Sequence, residues 1–276
     1  YLNEVVMIAG VDSNWSPTHA NGQINYATNN YFNTAHNITS HTYLYPASGN
    51  SASTIVQNVS NGIGYINYTA HGDVTNWSNP SFTISNVNSL QNTNKYCFTV
   101  GNCCLTNKFD TAVCFGEAWL RANNKGAVVY IGGTNYTYWD EDYYWGVGYK
   151  PPIVGTGSPF VAGHTGAYDA LFHDHNEPFA DWAGNAGSMV FMGNMAVVQS
   201  NSTRANYYWE IYAIMGDPSI TPYLGIPAQN AYNPPAQMFL GLNSMDIQTD
   251  PYSYVALSMN NELHGVGLAD ATGNLT

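Results

Sequence analysis

The chain has 276 residues, 45% of them hydrophobic and only 9% charged, with a formal net charge of −12. That length suits one large domain or a domain with a smaller companion. Six Lys plus Arg residues exclude the basic footprint that nucleic-acid binding needs. The surface has to be built from Asn, Ser, Thr, Gly and Tyr instead, as in a secreted chain. Every long apolar run is broken by Asn, Gly or His, so no transmembrane segment is expected. No leader is visible, and a start at Tyr1 reads as a processed piece of a longer protein.

Val5 to Gly10 is a short apolar run closed by glycine, which predicts a buried strand, and Asp12 follows its end. The pattern then predicts a helix over 22–36, a strand near 41–45 and a helix near 53–59. Gly64 to Ala70 is a second β-rich run, and it stops at His71-Gly72. After a short helix at 86–91, Tyr96 to Asn102 is a third, and it stops at Cys103-Cys104. A helix over 112–124 ends at Gly126, and Ala127 to Gly132 is a further buried strand. Strands alternating with helices predict an α/β fold with a mostly parallel sheet covered on both faces.

From Gly133 to about Pro159 the chain is crowded with Tyr and Trp around Asp140-Glu141-Asp142, which predicts a long binding loop. Helices are expected over 182–198 and 207–215. Four prolines between Pro222 and Pro235 mark a linker, giving a division into 1–224 and 225–276. The alternating runs beyond it predict the start of an immunoglobulin-like β-sandwich. Fewer than 50 residues remain for a module that needs roughly 100.

Ligands bind beyond the carboxyl ends of strands in an open α/β sheet. An imidazole and a thiol delivered there by two strands are a candidate base and nucleophile. A neighbouring His activates the thiol and then protonates the leaving amine. Asp12, at a third strand end, is a candidate for orienting the imidazole, the alternative being a turn or helix cap. The tetrahedral intermediate needs backbone donors, for which the amides of Gly72 and Cys104 are candidates. The four cysteines lie between positions 97 and 114, a spacing that suits neither a dispersed disulfide scaffold nor paired zinc ligands. Neighbours on an extended strand face opposite ways, so one of Cys103 and Cys104 is expected in the core and the other at the cleft. Cys97 and Cys114 read as packing residues or as a disulfide pair. Asp169, Asp174, His164, His173 and His175 lie close along the chain without a metal-ligand spacing.

Tyr68-Thr69-Ala70-His71-Gly72, Gly101-Asn102-Cys103-Cys104, Cys114-Phe115-Gly116-Glu117 and the run Tyr138 to Trp145 together resemble the gingipain family of secreted cysteine peptidases. Met7 to Asp12 and Tyr207-Tyr208-Trp209-Glu210 with Gly216-Asp217 extend the likeness over essentially the whole chain. It is greatest to the family's lysine-specific members. The resemblance implies a caspase-like three-layer fold and an acyl-enzyme mechanism. It implies Cys104 as nucleophile, His71 as base, Asp12 as the residue orienting His71, and Gly72 and Cys104 as oxyanion donors. It further implies Asp142 as the acid that pairs a P1 Lys, Trp139 and Tyr138 as pocket walls, and Thr69 and Asn102 as polar contacts. Aromatic walls suit the apolar stem of a lysine and a carboxylate suits its point charge.

No cofactor is implied for catalysis. Structural calcium is compatible with the family and the acidic composition, with no ligand assigned. The implied partners are peptide substrates with a P1 Lys and the family's own N-terminal subdomain, which this chain lacks. The implied location is secreted or on a bacterial cell surface. Where the relatives carry Gly in Tyr-Trp-Gly-Glu-Asp, this chain has Asp140, an extra carboxylate that would widen selectivity toward basic residues or bind a cation. The rival readings are a peptidase with Arg or dual basic specificity and a catalytically silent surface-binding or adhesion module on the same fold.

Overall fold

The computed structural model describes residues 1–154, 157–226, 229–230, 232, 241 and 244–276, and these form two units, Tyr1–Ile226 and Pro227–Thr276. The strands of the first unit are β1 (Glu4–Ala9), β2 (Thr39–Tyr43), β3 (Tyr65–Thr69), β4 (Gly72–Asp73), β5 (Asn76–Trp77), β6 (Phe82–Thr83), β7 (Cys97–Asn102), β8 (Ala127–Gly133) and β9 (Tyr212–Gly216). Its α-helices are α1 (Asn21–Asn30), α2 (Ala52–Asn61), α3 (Ile84–Ser89), α4 (Phe115–Arg121), α5 (Trp139–Val147), α6 (Ala167–Phe172), α7 (Ala186–Gln199) and α8 (Ala205–Ile211).

Six strands form the central sheet in the order β2-β1-β3-β7-β8-β9, all parallel except the β8–β9 pair. The apolar strands alternate between two cores. Val5, Met7 and Ala9 of β1 face one, with α1, α5, α6, α7 and α8; Val6 and Ile8 face the other, with α2, α3 and α4. Burial on both faces is why these strands carry continuous apolar runs rather than alternation. The expected three-layer α/β architecture is therefore present. Each large side chain buried there contributes about 1.5–3 kcal/mol.

The register sets the site. Thr69, the last residue of β3, pairs with Asn102, the last of β7, while Ala9 of β1 pairs with Thr69. Adjacent strands lie roughly 4.8 Å apart. Asp12, His71 and Cys104 thus leave one sheet edge side by side, each two or three residues beyond its strand. The chain after His71 turns into the small antiparallel sheet β4-β5-β6.

Several expected elements differ. The segment 133–159 is not one long loop: the acidic aromatic run folds as α5. Its inward side chains Tyr143 and Trp145 are buried in the core, and that burial holds it as a helix. The helix expected over 207–215 stops at Ile211, and Tyr212 to Gly216 pairs antiparallel with β8 as the sheet's last strand. The first helix ends at Asn30, where the amide side chain of Asn30 bonds back to Tyr26 and Asn33 caps the next short turn. A five-residue π-turn, Ser16–Ala20, leads into it.

Pro227, Pro234 and Pro235 of the expected linker, and the first residues of the expected immunoglobulin-like start (236–240), lie outside the described residues. The second unit holds a ribbon of β10 (Ile247–Gln248) with β13 (Asn274–Leu275) and a hairpin of β11 (Tyr254–Met259) with β12 (Glu262–Leu268). The hairpin turns at Asn260-Asn261, both at positive φ, the conformation a two-residue turn between twisted strands requires. Among the described residues no helix is long and apolar enough to cross a membrane.

Candidate active site

Asp12 sits at a turn after β1 that the backbone holds on both sides. Gly10 N–H donates to Thr69 O and Val11 N–H to Asn79 O. A Cβ on Gly10 would come within 2.6 Å of Ala70 Cβ and 2.7 Å of Tyr68 Oη, so only glycine lets the strand end approach this closely. The two carboxylate oxygens of Asp12 divide their work. Oδ1 accepts from the N–H groups of Asn14 (2.8 Å) and Trp15 (3.0 Å), and Oδ2 accepts from His71 Nε2 (2.8 Å). Asp12 is thus a turn cap and an imidazole partner at once. Partial burial pushes its pKa up, but the His71 bond and the two backbone donors outweigh this and hold it below the usual value. An ionised Asp12 on Nε2 puts the proton there and leaves the Nδ1 lone pair to accept.

His71 is half exposed at the cleft, and its main chain is fixed: Tyr68 Oη (2.8 Å) and Ser78 N–H both donate to its carbonyl. The edge of its ring meets Trp139, with centroids 5.4 Å apart and planes at 87°. Cys103 is fully buried and Cys104 half-buried, as their alternation predicts. Thr137 supplies the hydrogen bonds of the Cys104 sulfur. Its N–H donates to Sγ at 3.3 Å, the thiol donates to its carbonyl at 3.6 Å, and its hydroxyl lies 3.9 Å away. Burial raises the Cys104 thiol pKa, and Asp142 adds to that rise, while the Thr137 contacts partly offset it. The surroundings of Cys104 thus favour its protonated form. His71 is not among its hydrogen-bond partners in the described residues.

Gly72 packs against the Cys103-Cys104 main chain so tightly that a Cβ would lie 2.7 Å from Cys103 Sγ and from Cys104 O. Among the described residues the Cys104 N–H has no protein acceptor. The Gly72 and Cys104 main chains thus lie side by side, with the Cys104 amide open to a further acceptor.

Asp142 is 4% exposed, in the first turn of α5. Thr137 Oγ1 donates to its Oδ2 at 2.6 Å, and the hydroxyls of Tyr208 and Tyr212 each donate to Oδ1 at 2.9 Å. Burial pushes its pKa up to about 7 against the pull of those three donors. Among the described residues no cation pairs with this carboxylate: its partners are neutral hydroxyls, so a positive ligand would find it uncompensated. Tyr138 is partly exposed, carries the Arg204 guanidinium 3.8 Å over its ring, and donates its N–H to Tyr208 Oη. Thr69 and Asn102 are buried, with their polar atoms engaged by Gln23 and Tyr212 rather than turned to an open pocket.

Asp140 accepts a 2.8 Å bond from His19 Nε2. It is therefore a paired carboxylate pinning α5 to the π-turn, not a free charge at the rim. Asp169 is fully buried and taken up by the hydroxyls of Tyr26 and Tyr31, the Gly166 N–H and Lys150, so the expected His–Asp proximity in sequence does not become a cluster in space. Among the described residues no group of three or more His, Cys, Asp or Glu converges as a metal site. All four cysteines, Cys97 and Cys114 included, are free thiols.

Sequence reasoning passed over Thr137, Tyr208, Tyr212 and Gln23. Thr137 immediately precedes the Tyr-Trp pair. Tyr208 bonds Asp142 only because of where α8 docks, which the sequence pattern does not show.

A family model, Peptidase family C25, matches residues 1–223. Lys-gingipain HG66 of Porphyromonas gingivalis is 39% identical over 283 residues, which cover 100% of this chain and 16% of that protein. Gingipain R1 of the same organism is 25% identical over 237 residues, 83% of this chain and 22% of that one. A solved structure described as a protease superposes with a TM-score of 0.85 at 36% identity, over 99% of this chain and 60% of the other. The Arg-specific cysteine proteinase gingipain R superposes at 0.73 with 20% identity, over 98% and 59%, a likeness of fold. The chain spans 16% of the length of the Lys-gingipains it matches. The matched stretch carries the whole central sheet and every strand end described above, and on that basis the chain belongs to peptidase family C25, the gingipain family of cysteine peptidases.

Proposed function

We propose that this chain is the part of a cysteine endopeptidase that holds the nucleophile, the base and the P1 pocket, and that it cleaves after Lys. One observation carries the reading: Thr137 bonds the Cys104 sulfur through its backbone and the buried Asp142 through its hydroxyl. A thiol beside a P1 carbonyl therefore has a cation-seeking carboxylate one residue away. In this reading a lysine stem runs along Tyr138 and Trp139, and its ammonium replaces the missing countercharge of Asp142.

With substrate seated, His71 Nδ1 takes the proton from Cys104 Sγ as sulfur attacks the carbonyl carbon. Asp12 stabilises the imidazolium through Nε2. The N–H groups of Gly72 and Cys104 receive the developing oxyanion. His71 then gives the proton to the leaving amine, and water hydrolyses the thioester by the same base. The raised thiol pKa fits a mechanism in which deprotonation accompanies attack.

Membership of a family whose matched relatives are gingipains supports a secreted or surface-bound enzyme, and the length of those relatives supports a larger protein with an N-terminal subdomain beside this one. The test is turnover of paired peptides that differ only in P1 Lys or Arg, with Cys104→Ala as control. Cleavage after Lys that is lost in Cys104→Ala supports the reading. Equal cleavage after both residues replaces it with dual basic specificity. No cleavage by the folded, full-length protein favours the silent module.

A further inference from the structure

Gln23, in α1, is 1% exposed, and every polar atom of its amide is used. Its Oε1 accepts from Thr69 Oγ1 at 2.9 Å, and its Nε2 donates to Asn102 Oδ1 at 3.2 Å and to Tyr168 Oη at 3.0 Å. Asn102 Nδ2 in turn donates to Tyr212 Oη at 2.9 Å, and Tyr212 Oη donates to Asp142 Oδ1 at 2.9 Å. A hydrogen-bond chain thus runs from the end of β3, through α1 and the end of β7, to the Asp142 carboxylate. Gly146 of α5 packs on the amide: a Cβ there would lie 2.7 Å from Gln23 Nε2.

The chain has a direction. An amide presents a donor at one end and an acceptor at the other, and a buried phenol has one proton to give. Because the Gln23 oxygen receives the Thr69 proton, its nitrogen faces Asn102. Asn102 must then turn its oxygen to Gln23 and its nitrogen to Tyr212. Tyr212, already receiving a donor, gives its own proton to Asp142. Reversing both amides would make Tyr212 donate to Asn102 and leave it no proton for the carboxylate.

We propose that Gln23 is a positioning residue for P1 selection, setting the direction of the chain Gln23–Asn102–Tyr212 so that Tyr212 donates to Asp142. It touches neither substrate nor sulfur, and the proposal rests on Asp142 being the P1 acceptor, as argued above. Aligned donors favour the ionised form against the burial that opposes it and hold the carboxylate oriented before a cationic side chain arrives, which is worth more than the same bonds formed on binding.

The experiment uses the full-length enzyme and two peptides of one sequence, with P1 Lys or uncharged norleucine. Gln23→Leu should raise KM for the Lys peptide about tenfold, the scale of one bond to a charged group, and move kcat less than threefold. The norleucine peptide should lose less than threefold in kcat/KM. Tyr212→Phe should reproduce the Lys effect, and the double variant should be no worse than Tyr212→Phe alone, because both act through one bond. Gln23→Glu keeps the volume but cannot donate to Asn102. It should give the same KM rise and move the acid limb of kcat/KM to higher pH, so it serves where Gln23→Leu does not fold. Equal losses on both peptides, additive losses in the double variant, or an unchanged KM in folded Gln23 variants would overturn the proposal. A wild-type enzyme that cleaves neither peptide overturns the peptidase reading and the proposal with it; normal Lys cleavage by wild type separates the two failures.

Discussion

Thr137 reaches the sulfur of Cys104 with its backbone N–H at 3.3 Å while its hydroxyl donates to Asp142 at 2.6 Å. One residue therefore spans the Cys104 sulfur and the buried Asp142 carboxylate. The Tyr-Trp pair follows it directly, and the Trp139 ring meets His71 at a near-perpendicular angle. In the proposed peptidase, three consecutive residues would then set the distance between nucleophile and P1 acid, which favours a precise site.

Thr137→Val separates the two duties. The backbone contacts to sulfur persist, and the bond to Asp142 is lost. Alkylation of Cys104 by a small neutral reagent should change less than threefold, while KM for a P1-Lys peptide should rise about tenfold for one lost bond to a charged acceptor. Parallel losses in both assays would mean that Thr137 acts only as scaffold.

The pH profile carries two signs. Asp142, pushed up to about 7, is half protonated near neutrality in the free enzyme. Then kcat/KM for P1-Lys peptides should fall below about pH 7, and Asp142→Asn should abolish that limb. The raised Cys104 thiol predicts no low-pH plateau in alkylation, with the rate climbing past the ordinary thiol range. A plateau at pH 6 would indicate an ion pair and contradict the neutral resting thiol. For stability the directions oppose. The Asp142 contribution is fully present below its unfolded value of 3.8 and is lost as pH rises through about 7. The Asp12 contribution, with a lowered pKa, is present above 3.8 and is lost as pH falls through its folded value.

Asp140 is bound to His19, whose side chain is 9% exposed against 55% for Asp140. A half-exposed pair of this kind is worth about 0–1 kcal/mol. Asp140→Ala should therefore shift stability slightly and alter the Lys to Arg preference less than threefold, measured on paired peptides. A loss of preference as large as that of Asp142→Ala would show that Asp140 selects charge directly.

Lys150 and Asp169 are a buried pair, 1% and 0% exposed, with Lys150 Nζ also donating to His164 O at 2.8 Å. Burial lowers the Lys150 pKa against the pull of Asp169. Lys150→Met leaves an unpaired buried carboxylate and should cost about 3–5 kcal/mol in urea unfolding. Lys150→Met with Asp169→Asn should recover part of it. A cost under about 1 kcal/mol would mean that the Tyr26 and Tyr31 hydroxyls suffice for Asp169.

The legible part of the site was the part that depends on strand ends. Asp12, His71 and Cys104 each follow a β-rich run, and a parallel sheet places such ends together whatever the loops do. The Cys103–Cys104 alternation was legible for the same reason. Helix α5 was not: its sequence crowds acidic and aromatic residues in a pattern with no clear apolar face, and only the burial of Trp145 against α7 and of Tyr143 beside α1 shows why it coils. Strand β9 was misread because Tyr212 to Met215 continues an aromatic helical pattern, and its antiparallel pairing with β8 is a long-range contact. Gln23 carried no signal, since a polar residue on a helix reads as solvent-facing until a second polar layer is found to meet it. Asp140 looked like free charge because its partner His19 lies 121 positions away.

The most direct test of the account is covalent labelling of the full-length enzyme with a lysyl chloromethylketone, located by peptide mass mapping. The account predicts a single adduct on Cys104, slowed by a competing P1-Lys peptide and much reduced in His71→Ala and in Asp142→Ala. An adduct spread over Cys97, Cys103 and Cys114, or labelling of Cys104 at the same rate by the leucyl reagent, would contradict it.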